Sequence, residues 1–348
     1  MSSRLARLAA AVSLSCLSGA IAATSGGYHL LKKIPLGAAD GGGEYFDYIT
    51  MDASARRIYA SHGTEVQVLD ADTGAPIGKI TGLKRCHGVA LAPELGKGFI
   101  SDGDLGQVII FDLKSFQRLG EAKAEDDADS ILYDAASKRV FVFNGRPKSA
   151  TVIDPASGAV MGRIPLGGAP EQAVADGNGA IFDNLEDTNE VIAIDSRTLQ
   201  IRSRWPVAPV GQPVSIALDR KNRRLFIAGR NPKMLAMMDA DSGKIIGSPF
   251  PIGARVDATV FDPATGFAAA STGDGAIHIF HEGSPAKLVE VETVKTEYGA
   301  KTMALDAKTH RLVVDTSDFD APADPAAKGP ASQPRAKPGT FHVLIYSR

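Results

Sequence analysis

Cysteine is nearly absent from this chain: Cys16 and Cys86 are the two in 348 residues. Cys16 lies in the leader described below, so one thiol remains and no internal disulfide can form. Stability must come from packing and strand pairing. An excess of one sign of charge is also missing. Thirty-eight basic residues face 40 acidic ones, a net of −2, which argues against a strong nucleic-acid binder. Beyond the N-terminus no apolar run approaches the 18 residues of a membrane helix. There is no GxSxG elbow, HExxH helix, CxxCH haem site or phosphate-cradling glycine loop. The glycines of DGGGE (40–44) and GDGAIHIF (273–280) precede no helix and read as turns.

What is present is a large apolar fraction, 44%, punctuated by 36 Gly and 20 Pro. That is the composition of a folded chain rich in turns. Residues 1–22 read as a signal peptide. Arg4 and Arg7 precede an apolar run from Leu8 to Leu17, and Ala20-Ile21-Ala22 offers a small-x-small cleavage site. Cleavage before Ala23 leaves 36 basic against 40 acidic residues, a net of −4. The mature chain, 23–348, is then expected in the periplasm or outside the cell, with no transmembrane segment.

Internal repetition is the strongest signal. A short apolar strand ending in Asp or its equivalent recurs at Asp70, Asp112, Asp154, Asp195, Asp239, His281 and Tyr346, at intervals of 42, 42, 41, 44, 42 and 65. Two alternating strands precede each, as in DYITMD (47–52) and RRIYAS (56–61), and a fourth follows across a Gly-bearing turn. Four short antiparallel strands in about 40–45 residues form a propeller blade. The fold predicted is all-β: one seven-bladed β-propeller domain. The seventh unit ends at Arg348 without its fourth strand, and YHLLKKIPL (28–36) is expected to supply it and close the ring. The Pro-, Ala- and Asp-rich segment 316–339 accounts for the long last interval and reads as a flexible insertion.

FVFN (141–144) and IFDN (181–184), each on a strand before a tight turn, resemble the YVTN-repeat propellers, the YncE-like family of exported bacterial proteins. The resemblance covers nearly all of 28–348. It implies the fold, and it carries over no catalytic residue, because no one catalytic motif defines that group.

Strand order sorts the loops onto two faces. The starts of the innermost strands place Asp47, His87, Asp129, Glu171, Asp257 and Lys301 around one mouth of the channel, with Val214 in blade 5. The connections after the second strands add His62, Asp102, Asn144, Asn184 and Arg230 to this candidate binding face. Carboxylates converging on a narrow channel raise one another's pKa and attract cations. His62 and His87, with Asp47, form a candidate two-histidine, one-carboxylate site for a divalent metal. Cys86 reads as a buried inert thiol. The opposite face carries basic turns at Arg56-Arg57, Lys138-Arg139, Arg220 to Arg224 and Lys308 to Arg311.

The leading expectation is a monomeric recognition protein that binds a small molecule or protein partner at the channel mouth. The alternative is a metal-dependent hydrolase, lactonase or lyase there, with Asp129 or Glu171 as base. Nucleic-acid binding through the basic turns is the weakest of the three.

Overall fold

The computed structural model describes residues 26–42, 44–320 and 334–348. Seven four-stranded antiparallel sheets form the ring. In blade 1 the strands, from channel to rim, are Ile49–Asp52, Arg57–His62, Glu65–Asp70 and Pro76–Thr81, called a, b, c and d. The innermost strands of blades 2 to 6 are Cys86–Ala92, Ala128–Asp134, Pro170–Ala175, Pro213–Asp219 and Val256–Asp262. Among the described residues, no helix is long and apolar enough to cross a membrane. The signal peptide reading falls on residues outside the described ones.

Blade 7 is assembled from both ends of the chain. Met303–Asp306, Arg311–Thr316 and Phe341–Ser347 pair in order, and His29–Gly37 adds the outer strand. Its register sets Leu30 opposite Tyr346 and Ile34 opposite Val343. Ile34, Phe341, Val343 and Ile345 then bury against Ile58 and Ala60 of blade 1. Each such side chain contributes roughly 1.5–3 kcal/mol. The remaining junctions are built alike: Tyr59, Val66 and Val68 of blade 1 meet Ile100, Ile109 and Phe111 of blade 2. Strands b and c are therefore apolar on both sides, whereas strand d alternates.

The aspartate that ends each c strand has a local cause. Asp70 accepts hydrogen bonds from the amides of Asp72 and Thr73 and from the Thr73 hydroxyl. Asp112 and Asp239 do the same for their own turns. In blades 1 to 5 the repeat seen in the sequence is thus an Asx turn between the third and fourth strands.

The basic turns of the face opposite the candidate mouth are committed within the protein. Arg56 of blade 1 reaches Asp306 of blade 7 at 2.7 Å and Asp72 at 2.8 Å. Arg223 bridges Asp176 of blade 4 and Asp241, and Arg224 holds Asp239. Arg139 donates to the carbonyls of Ser196 and Arg197. These groups clasp neighbouring blades, so this face is largely charge-compensated. The insertion into blade 7 leaves through flanks that pair with each other. Phe319 bridges Ala336, and the Lys337 amide donates to the Asp318 carbonyl. Residues 321–333 lie outside the described ones.

One lower-face contact makes stability depend on pH. Burial, and then the hydrogen bond and charge of Asp219, push Glu282 up to about 7. A carboxyl that holds its proton more tightly when folded stabilises fully below its unfolded value near 4.5. That contribution is lost as pH rises through about 7. Thermal melts should therefore show stability falling by about 2 kcal/mol from pH 5 to 8. Glu282→Gln should flatten that slope; an unchanged slope would contradict the assignment.

Candidate functional site

Asp47, His87, Asp129, Glu171, Val214, Asp257 and Lys301 occupy one position of the repeat. Each lies two residues before the a-strand residue aligned with the fourth residue of strand b. In blades 2 to 6 the inner strand carries one extra residue here, so the pairing skips past His87, Asp129, Glu171, Val214 and Asp257. Such bulges release a side chain from the ladder and re-aim it.

Charges of alternating sign run around this ring. Arg230 of blade 5 contacts Glu186 of blade 4 at 3.5 Å and pairs with Asp257 of blade 6, spanning the blade whose own position is Val214. Asp257 pairs with Lys301 of blade 7, and Lys301 lies 3.5 Å from Asp47 of blade 1. The Asp47 carboxylate is 2.7 Å from His87 Nδ1, and that nitrogen is 3.0 Å from Asp129 of blade 3. Tyr45 donates to Asp47 at 2.7 Å, with its oxygen 2.9 Å from the same imidazole nitrogen. The order is Glu186, Arg230, Asp257, Lys301, Asp47, His87, Asp129: negative, then positive, through seven groups. Glu171 stands beside the end of this series. Among the described residues its carboxyl makes no hydrogen bond or ion pair.

The titration behaviour follows from that order. Burial acts to lower His87, but its hydrogen bonds to Asp129 and Asp47, with their charges, push it up to about 10. An opposite charge at about 3 Å and an effective dielectric of 20 is worth roughly 5 kcal/mol. A buried ion loses several kcal/mol of hydration. Two carboxylates are thus enough to keep the imidazole charged. Burial acts to raise Asp47, and Lys301 and His87 overcome it, holding the carboxyl well below the usual range. Asp129 shifts up, through burial and the charges of Asp47 and Asp257, although His87 opposes the shift. Glu171 is raised well above its ordinary value by burial, then by Asp129 and Asp257. Burial and the surrounding carboxylates also push up the Tyr48 phenol.

Hydroxyls from neighbouring blades pin the backbone of this ring. Ser101 of blade 2 donates to the Asp129 carbonyl, and Ser271 of blade 6 to the Lys301 carbonyl at 2.5 Å. Thr302 Oγ1 lies 2.9 Å from the Asp47 carbonyl and 2.5 Å from Asp315 Oδ1. A hydroxyl has one hydrogen, and an ionised carboxylate only accepts. Both contacts are hydrogen bonds only when Asp315 carries a proton, donates it to Thr302, and Thr302 donates to Asp47. Burial, then the Asp47 charge, pushes Asp315 up to about 8.

Of the residues expected at the mouth, the structure assembles Asp47, His87, Asp129, Arg230, Asp257 and Lys301 into one series with Glu171 beside it. The metal trio of His62, His87 and Asp47 is not assembled. His62 ends strand b and stacks on Phe341 at 4.1 Å in the wall between blades 7 and 1, with Glu44 at 3.6 Å, and burial lowers its pKa. Asp47, His87 and Asp129 do bring their ligand atoms within 4.8 Å of one another. As they stand, though, Asp47 and Asp129 both face the same ring nitrogen, Nδ1, so that nitrogen carries a proton that a metal would have to displace. Asp102 caps the turn before it by accepting from the Lys84 and Arg85 amides. Asn144 ties the hairpin of its own blade through Ser149 and Thr151. Asn184 is buried with neither amide atom partnered. Cys86 is buried, donates to the Glu65 carbonyl and is pushed up to about 12 by burial.

Sequence reasoning missed Tyr45 and Tyr48, although EYFDYI (44–49) sets an aromatic on each side of Asp47. It also missed Asp183, which is fully buried with both carboxyl oxygens unpartnered. The signal is visible once the blades are aligned. The fourth residue of strand b is Ala60, Ile100, Val142, Asp183, Ile227, Ala270 and Val314, one acid among six apolar residues.

No family model and no curated protein matches this chain. Solved structures do. A chain of the Kuenenia stuttgartiensis hydrazine synthase is 13% identical with a TM-score of 0.68, and the match covers 77% of this chain and 91% of that one. U3-55K is 9% identical with a TM-score of 0.72, over 91% of this chain and 98% of that one. At such identities the likeness shows the propeller fold alone.

The relay through Thr302 predicts distinct outcomes for two variants. Asp315→Asn keeps a donor for Thr302 and should melt near the parent temperature, without the parent's loss of stability as pH rises through 8. Asp315→Val should be destabilised by about 1–3 kcal/mol at every pH. Thermal melts from pH 6 to 9.5 in a Glu282→Gln background check this, and a slope in Asp315→Asn as steep as in that background alone would refute the relay.

Proposed function

We propose that this chain is an exported recognition protein of the YVTN-repeat, YncE-like kind, and that the channel mouth binds a small molecule or a protein partner. One observation carries the reading: a single repeat position delivers six ionisable side chains from six blades to one rim, held by bulges and neighbouring hydroxyls. A rigid, pre-formed set of polar groups at a concave mouth suits ligand binding. Export rests on the pattern of residues 1–22, and the family on the strand and turn motifs.

A second reading is a metal-dependent hydrolase, lactonase or lyase at the same mouth. The proximity of the Asp47, His87 and Asp129 ligand atoms favours it. Elemental analysis separates the two, because the enzyme reading requires a stoichiometric metal that is lost in His87→Leu.

Native mass spectrometry of the protein from its exporting host is the direct test. The parent should retain a bound molecule or partner, while Arg230→Gln and Asp129→Asn should each weaken retention about tenfold, or about 1.4 kcal/mol. Equal retention by parent and variants would remove the channel mouth as the binding site.

A further inference from the structure

The alternation of charge around the mouth breaks at Glu171, which feels the carboxylates of Asp129, Asp257 and Glu186. From Glu186 through Asp129, every negative group in the series meets a cation and every cation lies between two carboxylates. At the junction of blades 3 and 4 the next group after Asp129 is another carboxyl, Glu171. No cation of the described residues lies within ion-pair distance of it; Arg230, which is committed to Asp257 and Glu186, offsets its charge only in part.

We infer that the ligand presents an organic ammonium or guanidinium group to this junction, seated between Asp129 and Glu171, where it completes the alternation. The inference deepens the proposed role of the mouth and rests on it.

A second observation lies in the wall of the same junction. Asp183, fully buried and without a partner on either oxygen, sits on strand b opposite Ala173, two residues after Glu171. Its carboxyl lies by the Glu171 amide. This is the blade in which an acid replaces the apolar residue found at that position in the other six. A buried carboxyl whose one nearby donor, the Glu171 amide, falls outside hydrogen-bond geometry is costly, and it adds a third acid to this junction.

The spacing favours a nitrogen cation over a metal. Metal ligands converge on a single point, and the described groups of three that approach one another within 4.8 Å are Asp47–His87–Asp129 and Glu297–Asp318–His342. Asp129, Glu171 and Asp183 are not such a group. Carboxyls set further apart suit a cation whose several N–H donors point outwards, each at hydrogen-bond length. The phenol of Tyr48, close enough to feel Asp129 and Glu171, offers a further acceptor.

Thermal shift on the full mature chain tests this in two ways. Without any ligand, Glu171→Gln and Glu171→Lys should both raise the melting temperature, because each removes a buried carboxyl that makes no hydrogen bond or ion pair among the described residues. A fall in both variants would overturn the inference. With added cations at matched ionic strength, 1,4-diaminobutane or a short lysine- and arginine-containing peptide should raise the parent's melting temperature by several degrees. Potassium should not. The shift should vanish in Glu171→Gln. Stabilisation by the diamine points to a small amine, and stabilisation by the peptide alone to side chains of a protein partner; either supports the inference. A larger Glu171-dependent shift with magnesium or calcium, or no Glu171-dependent shift with any cation, would overturn it. A native-state ligand lacking a cationic nitrogen would overturn it too, yet leave the mouth as the binding site.

Discussion

A charge removed from water must meet its opposite, and in this propeller that requirement is met in series. His87 is the central link: one ring nitrogen faces Asp47 of the preceding blade and Asp129 of the following one. Two carboxylates together offset the hydration lost by a nearly buried imidazolium. Lys301 and Arg230 repeat the device across blades 5 to 7. Because each cation is shared between blades, the electrostatics of the mouth and the cohesion of the ring are one property.

The fold makes that sharing possible. Closure through His29–Gly37 fixes blade 7 against blade 1, which brings Lys301 and Asp47 together although 254 positions separate them in the chain. In blades 2 to 6 a bulge then turns one residue out of the ladder and towards the axis. Hydroxyls of Ser101, Ser271 and Thr302 fix the carbonyls beside three of these residues. Functional geometry here depends on inter-blade contacts more than on any single blade, which is typical of an architecture whose units cannot bury their own faces alone. Where the series stops, at Asp129 and Glu171, the protein holds carboxyls that ionise reluctantly.

Much of this was legible in the amino-acid order. Aspartates 42 residues apart announced the blades, since each starts an Asx turn, and the missing fourth strand of the last repeat pointed to Tyr28–Leu36. The ring residues were legible too, because an equivalent place in each repeat is an equivalent place in space. His62 misled for a matching reason. Lying at a strand end near the same face does not say which way a side chain turns, and alternation sends this ring into the wall against Phe341. The sign alternation was hidden because it links residues that are neighbours only around the circle, and the bulges that aim them leave no mark in composition. Asp183 was hidden within an otherwise ordinary apolar strand.

The central claim is that a positively charged His87 joins Asp47 to Asp129. Its most direct test is the titration of the His87 ring followed by nitrogen and carbon NMR, with the signal assigned by its loss in His87→Leu. The account predicts that both ring nitrogens stay protonated through pH 8 and that the charge is lost only near pH 10. A neutral ring at pH 7 would contradict it, because the alternation would then break at its central link.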